Sequence, residues 1–315
     1  MRYFILIIIS ILTLISCKSK EQKQLENFIA KLPNDQILDI KTFDGNNQVV
    51  HPDILFKDNK LLMAITPYPF YNDSLENPCL YKSFNGIEFE DYSYKINPLV
   101  KTPTIDHNCD PDIILDKDGN IQLYYLETLR PFSNRVVLLS QNKNKFKRKV
   151  VMNFNFVENE RFIVSPAIAK YHNTKEYFMY FVNFNDKKNR VEYTISNRND
   201  HFNKKKILKN NINFPENFNP WHLDIISSNN KYYLLTNGYY GKESDHNYVL
   251  YLAESSDLKH WQNNKEILSQ KNIPDKELKY VYRSSGLISG DTLALWYSYV
   301  NKYDIWKLAL KKLKI

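Results

Sequence analysis

Four times in this chain a serine is followed six positions later by a large aromatic residue: Ser83 to Phe89, Ser140 to Phe146, Ser196 to Phe202 and Ser255 to Trp261. The serines are 57, 56 and 59 residues apart. So regular a period means that one supersecondary unit is used repeatedly. A second landmark keeps the same step: His51-Pro52-Asp53-Ile54, Asp110-Pro111-Asp112-Ile113, Ser165-Pro166-Ala167-Ile168, His222-Leu223-Asp224-Ile225 and Ser284-Ser285-Gly286-Leu287. Aromatic and β-branched runs such as Leu61–Ile65, Tyr177–Phe181 and Leu293–Tyr297 lie between the landmarks and read as strands, and no segment reads as an amphipathic helix. Five units of this size predict an all-β, five-bladed β-propeller with four-stranded antiparallel blades. Phe84-Asn85-Gly86, Lys117-Asp118-Gly119-Asn120 and Ser228-Asn229-Asn230 fall where hairpins should turn. With only 7 glycines in 315 residues, asparagine and aspartate must occupy many positive-φ positions. The fifth unit lacks the serine-aromatic mark, and Ile37–Phe43 is the candidate for a strand that closes the ring from the other terminus.

The first residues stand apart from this repeat. Arg2 precedes an apolar run from Tyr3 to Ile15, too short to span a bilayer but suited to a signal peptide. Leu14-Ile15-Ser16-Cys17 resembles the lipobox of bacterial lipoproteins, which implies acylation of Cys17; a plain secretory signal is the alternative. The expected organisation is a signal over 1–17, a polar tether over 18–35 and the propeller over 36–315, in a monomer lipid-anchored to the bacterial cell envelope. Export would permit a disulfide between Cys79 and Cys109, and two buried free thiols are the other outcome. The net charge of +8 is spread out, apart from Lys204-Lys205-Lys206 and Lys311-Lys312-Leu313-Lys314, which read as solvated faces. Nucleic acid is not an expected partner.

In a propeller the innermost strand of each blade lines a central funnel. The second landmark therefore brings His51, Asp53, Asp110, Asp112, Ser165, His222, Asp224, Tyr282 and Arg283 around one axis. Buried charges are costly unless paired or used, so this ring reads as a site. The stretch Asp110–Gly119 resembles the second-blade motif of the propeller glycoside hydrolases of families 43, 32, 62 and 68. A bacterial and phage-associated subgroup of that superfamily is more similar still. The similarity extends over roughly residues 48 to 310, through His51-Pro52-Asp53, Thr66-Pro67-Tyr68-Pro69, Glu76-Asn77-Pro78, His107-Asn108, Ser165-Pro166, Trp221-His222-Leu223-Asp224, Tyr282-Arg283-Ser284 and Leu295-Trp296-Tyr297-Ser298.

The resemblance implies a surface glycosidase with two essential carboxyl groups and a third aspartate that tunes the acid. Asp110 takes the tuning position. His51 replaces the usual first-blade base, and Ile163-Val164-Ser165-Pro166 stands where the third-blade acid is expected. The assignment is then Glu76 as proton donor, Asp53 as base or nucleophile and Asp110 as modulator, with Asp112 as second choice; a turn-capping role for Glu76 is the alternative. His51, Tyr68, His107, Asp112, Trp221, His222, Asp224, Tyr282 and Arg283 are the expected substrate contacts. For His222 a bond to nearby backbone is the alternative, and Arg283 either clamps an acidic group on the sugar or pairs with Asp224 or Asp112. No zinc-type spacing is present and no cofactor is expected, with structural calcium left open. A glycan-binding propeller without catalysis is the competing function.

Overall fold

The computed structural model describes residues 19–143, 145–156, 161–184, 188–270, 273 and 278–315. The apolar run and Cys17 lie outside them, so the expected leader and lipid attachment have no structural description. Five four-stranded antiparallel sheets are present. From the axis outward, blade 1 comprises Val49–Lys57, Lys60–Pro67, Cys79–Ser83 and Glu90–Asp91. Blade 2 comprises Asn108–Leu115, Ile121–Leu129, Ser133–Asn142 and Lys145–Asn155. Blade 3 comprises Phe162–Lys170, Tyr177–Phe184, Arg190–Ser196 and Leu208–Lys209. Blade 4 comprises Phe218–Ser228, Lys231–Tyr240, Tyr248–Ser255 and Gln262–Ser269. Blade 5 comprises Leu278–Ser289, Thr292–Asn301, Trp306–Lys314 and, from the beginning of the chain, Asp35–Leu38. The innermost strands touch their neighbours all the way round.

Closure uses the expected region with different bounds. Asp35–Leu38 pairs with Leu308–Lys311 as the outermost strand of blade 5. The tether reading is corrected: Lys20–Lys31 is an α-helix whose N-cap Ser19 accepts a hydrogen bond from the Gln22 N–H. Leu25, Phe28, Ile29 and Leu32 recur at the 3–4 spacing of one helix face and pack on the core shared by blades 1 and 5. Gly86 lies beneath them, where an added Cβ would come within 2.5 Å of the Leu32 side chain.

Local chemistry explains the serine landmark. Ser83 Oγ accepts the N–H groups of Asn85 and Gly86, Ser196 Oγ that of Arg198, and Ser255 Oγ those of Asp257 and Leu258. Each hydroxyl shapes the turn out of a third strand, and Phe89, Phe202 and Trp261 fold back from it into the core. Asn47, Asp58, Asn59, Asn173, Asn229 and Asn230 hold positive φ as the glycine count required. Cys79 and Cys109 are buried free thiols.

Candidate functional site

The second landmark is a β-bulge, and the bulge builds the site. In every innermost strand the pairing slips at this point: between Val50 and Asp53, Cys109 and Asp112, Val164 and Ala167, Pro220 and His222, and Val281 and Ser284. His51, Asp110 and Ser165 take φ of 57°, 51° and 55° there, a left-handed conformation that re-aims side chains toward the axis. Two residues further on, the alternation of the strand directs Asp53, Asp112 and Asp224 to a second layer. The funnel thus has two polar layers: a mouth layer of His51, Asp110, His222 and Arg283, and a rear layer of Asp53, Asp112, Asp224 and Ser285.

Asp110 centres the mouth layer. Its Oδ1 accepts a hydrogen bond from Arg283 Nη1 at 3.1 Å and lies 3.2 Å from His222 Nδ1 and 3.4 Å from His51 Nε2. Its Oδ2 accepts the Ser165 N–H at 2.8 Å, a bond between blades 2 and 3. Burial opposes its charge, but His51, His222 and Arg283 outweigh that and hold its carboxyl well below the usual carboxylate range. Burial pushes both histidines below the ordinary imidazole range. Arg283, fully buried, is therefore the lasting counter-charge, and Pro111 O accepts from its Nη2 at 2.9 Å. The expected pairing of Arg283 with Asp224 or Asp112 is replaced by this one.

Glu76 reaches the same cluster from the loop joining the second and third strands of blade 1. Its Oε1 lies 3.0 Å from His51 Nδ1 and accepts weakly from the Thr66 hydroxyl at 3.5 Å. Burial, reinforced by the charges of Asp110 and Asp73, pushes its pKa well above the carboxylate range. His107 Nε2 lies 3.5 Å from Glu76 Oε2, while its Nδ1 is 2.6 Å from Asp106 Oδ1. Arg130 grips both oxygens of Asp106, which helps to bring that acid down to about 2 despite burial. Sequence reading missed Asp106, Arg130 and Thr66, although the adjacent Asp106-His107 pair was visible. Tyr282 packs edge-on against His222 at 4.5 Å and tilted against His51 at 5.4 Å, and its hydroxyl accepts from Trp221 Nε1 at 3.3 Å. Tyr68 packs on Trp306 at 5.8 Å, in the next rank of the mouth.

His51, Asp110 and His222 each offer an atom within 4.8 Å of the others. His51 Nε2 and both ring nitrogens of His222 form no hydrogen bond among the described residues. Neutral imidazoles with unsatisfied nitrogens beside an ionised carboxylate fit a divalent metal. Glu76 at the far nitrogen of His51 would orient that ligand. No zinc-type spacing announced this set because its members come from three blades. Asp73, Glu76 and His107 form a second group of possible ligands.

Three expected site residues, Asp53, Asp112 and Asp224, fall in the rear layer. Asp53 Oδ2 accepts the Ile113 N–H at 2.5 Å and its Oδ1 accepts the Ser285 hydroxyl at 3.0 Å. Asp112 accepts the Ile168 N–H at 3.1 Å and Asp224 that of Ile225 at 2.7 Å. Asp53 and Asp112 pin one blade to the next, while the Asp224 bond stays within blade 4, so Asp53 sits in an inter-blade clasp rather than beside Glu76. Asp112 and Asp224, expected as sugar contacts, join it around the inner end of a cavity of about 370 Å³ that opens on the opposite side, between Lys170–Asn173 and Ser227.

No family model matches the sequence. No curated protein matches it either. Solved structures do share the fold. An N-acetylgalactosamine deacetylase from F. plautii, in complex with blood group B trisaccharide, superposes with a TM-score of 0.75 at 18% identity, covering 90% of this chain and 95% of that one. An exo-1,5-α-L-arabinanase from a bovine ruminal metagenomic library gives 0.62 at 12% identity, covering 88% and 96%. The family 43 endo-arabinanase from Bacillus licheniformis gives 0.62 at 13% identity with the same coverage. This chain therefore has the five-bladed fold of the propeller glycoside hydrolases, a fold shared with a deacetylase.

Proposed function

We propose that this protein is a carbohydrate-active hydrolase that cleaves a glycosidic bond of a glycan bound over the Glu76 mouth of the funnel. One observation carries the reading: two buried carboxyls flank the His51 ring at its two nitrogens, and their surroundings push them in opposite directions, Glu76 above and Asp110 below the usual carboxylate range. Such a divergence separates acid from charge stabiliser at neutral pH. Glu76 donates the proton to the leaving oxygen, and Asp110 supplies fixed negative charge near the developing oxocarbenium centre. Water is activated by His107, whose far nitrogen is anchored on Asp106. Tyr68, Trp221 and Tyr282 offer ring faces to the sugar. Export and lipid anchoring at Cys17 belong to the same proposal, supported by Tyr3–Ile15 and the Leu14-Ile15-Ser16-Cys17 motif, and make the substrate an extracellular glycan.

A second reading, removal of an N-acyl group from an amino sugar, is favoured by the unsatisfied imidazoles of His51 and His222 beside Asp110. A divalent metal held there would polarise an acyl carbonyl. His107 would then take the proton of the attacking water and Glu76 deliver one to the departing nitrogen. The test is a panel of plant, bacterial and mucin-type glycans assayed for reducing ends and acetate in the same tube, before and after chelator dialysis. New reducing ends establish glycosidic cleavage; acetate alone establishes the second reading. Neither product, with glycan retained on the protein, leaves the binding propeller.

A further inference from the structure

Asparagine and aspartate supply most of the positive φ at turns and the bulge residues supply it in the funnel, with Lys95, Lys143, His246 and Leu258 as single exceptions. The loop that carries Glu76 differs in placing two adjacent aromatics there. Phe70 and Tyr71 stand side by side in the left-handed region at φ of 53° and 58°. For bulky residues this is a genuine outlier, and such outliers gather at functional sites. The strain does not serve burial, since Phe70 remains 68% exposed and Tyr71 41%.

The surroundings hold the turn firmly. Gln48 Oε1 accepts both the Trp306 N–H at 3.2 Å and the Phe70 N–H at 3.5 Å. The Tyr71 hydroxyl donates to Asp304 Oδ1 at 3.0 Å, on the facing loop of blade 5, and its ring rests 5.6 Å from Trp306. Trp306 in turn packs 5.0 Å from Tyr282, which touches His222. Tyr71 therefore stands three ring contacts outward from the mouth layer, with Phe70 next to it in the chain and Tyr303, 62% exposed, on the same blade 5 loop as Asp304.

Resting on the glycan reading above, we propose that the Phe70–Tyr71 turn and Tyr303 form a stacking platform for sugar units extending from the reacting unit toward blade 5. The substrate is then an oligo- or polysaccharide rather than a small glycoside. Stacked sugars need flat, exposed rings fixed in advance, and a clamped left-handed turn presents them so.

Binding by the full-length protein carrying Glu76→Gln tests this without consuming the probe. An array of plant, bacterial and mammalian glycans of one to ten units supplies ligands, and the longest and shortest bound members are titrated with and without Phe70→Gly or Tyr303→Ala. Phe70→Gly is expected to weaken the longest ligand by about 10-fold, and by clearly more than the shortest. It should also leave Tm unchanged or raised, because glycine adopts positive φ freely. Equal weakening of long and short ligands, no weakening of either, or a fall in Tm that accounts for the loss overturns the platform. If no glycan binds even with the turn intact, the glycan reading fails together with it.

Discussion

Replacing Asp112 by asparagine is expected to stabilise the protein, and to do so more at pH 8 than at pH 4.5. Asp53, Asp112 and Asp224 place carboxylate oxygens within 4.8 Å of one another. Two full charges at that separation repel by about 3.5 kcal/mol at an effective dielectric constant of 20. Burial, then the charge of Asp224, pushes Asp112 well above the carboxylate range. The folded state thus holds a proton that the unfolded chain releases at about pH 3.9. Stability is fully present below that pH and declines as pH rises toward the folded value, by up to about 1.4 kcal/mol per pH unit for one proton. Asparagine keeps an oxygen for the Ile168 N–H and has no proton to lose. Losing attraction to Arg283 reduces the gain, leaving about 1–2 kcal/mol at pH 8, or roughly 2–6 °C in Tm. Thermal unfolding of both proteins at the two pH values measures it. If Asp112→Asn is less stable at both, or its advantage does not grow with pH, the triad is not a repelling cluster and a cation or another countercharge offsets it.

Other expectations follow from the same geometry. Glu76→Gln should lower turnover by about 10²- to 10⁴-fold, read from steady-state rates, and should remove the alkaline fall of the pH–rate profile as Glu76 loses its proton. Arg283→Met leaves Asp110 buried without its counter-charge, so urea unfolding should show a loss of about 3–5 kcal/mol. Leu32→Ala should cost about 2–5 kcal/mol in the same assay, because Leu32 fills the space over Gly86; a polar tether would give no loss. His222→Ala should abolish any metal-dependent acetate release while sparing chelator-resistant activity.

The repeat was legible because it is local chemistry. In blades 1, 3 and 4 a serine hydroxyl shapes the turn and an aromatic returns to the core, so both residues are written at fixed spacing, while in blade 2 the Ser140 hydroxyl donates to Gln122 Oε1. The polar landmark was legible as a position around the axis but not in depth. Asp53 and His51 are two residues apart, and only the bulge at Val50–Asp53 shows that one joins the rear clasp and the other the mouth. The contact of Glu76 with His107 joins a blade 1 loop to the entry of blade 2 and cannot be read from spacing. The N-terminal helix was readable, since Leu25, Phe28, Ile29 and Leu32 make an apolar stripe, but the polar residues between them masked it.

The division of the funnel into a working mouth and a structural rear is tested most directly by comparing glycan hydrolysis by Glu76→Gln and Asp53→Asn, each normalised to folded protein. Glu76→Gln should lose at least about 100-fold while Asp53→Asn stays within about 10-fold of the unaltered protein. Full activity in Glu76→Gln with abolition in Asp53→Asn would place the chemistry in the rear layer and contradict the assignment.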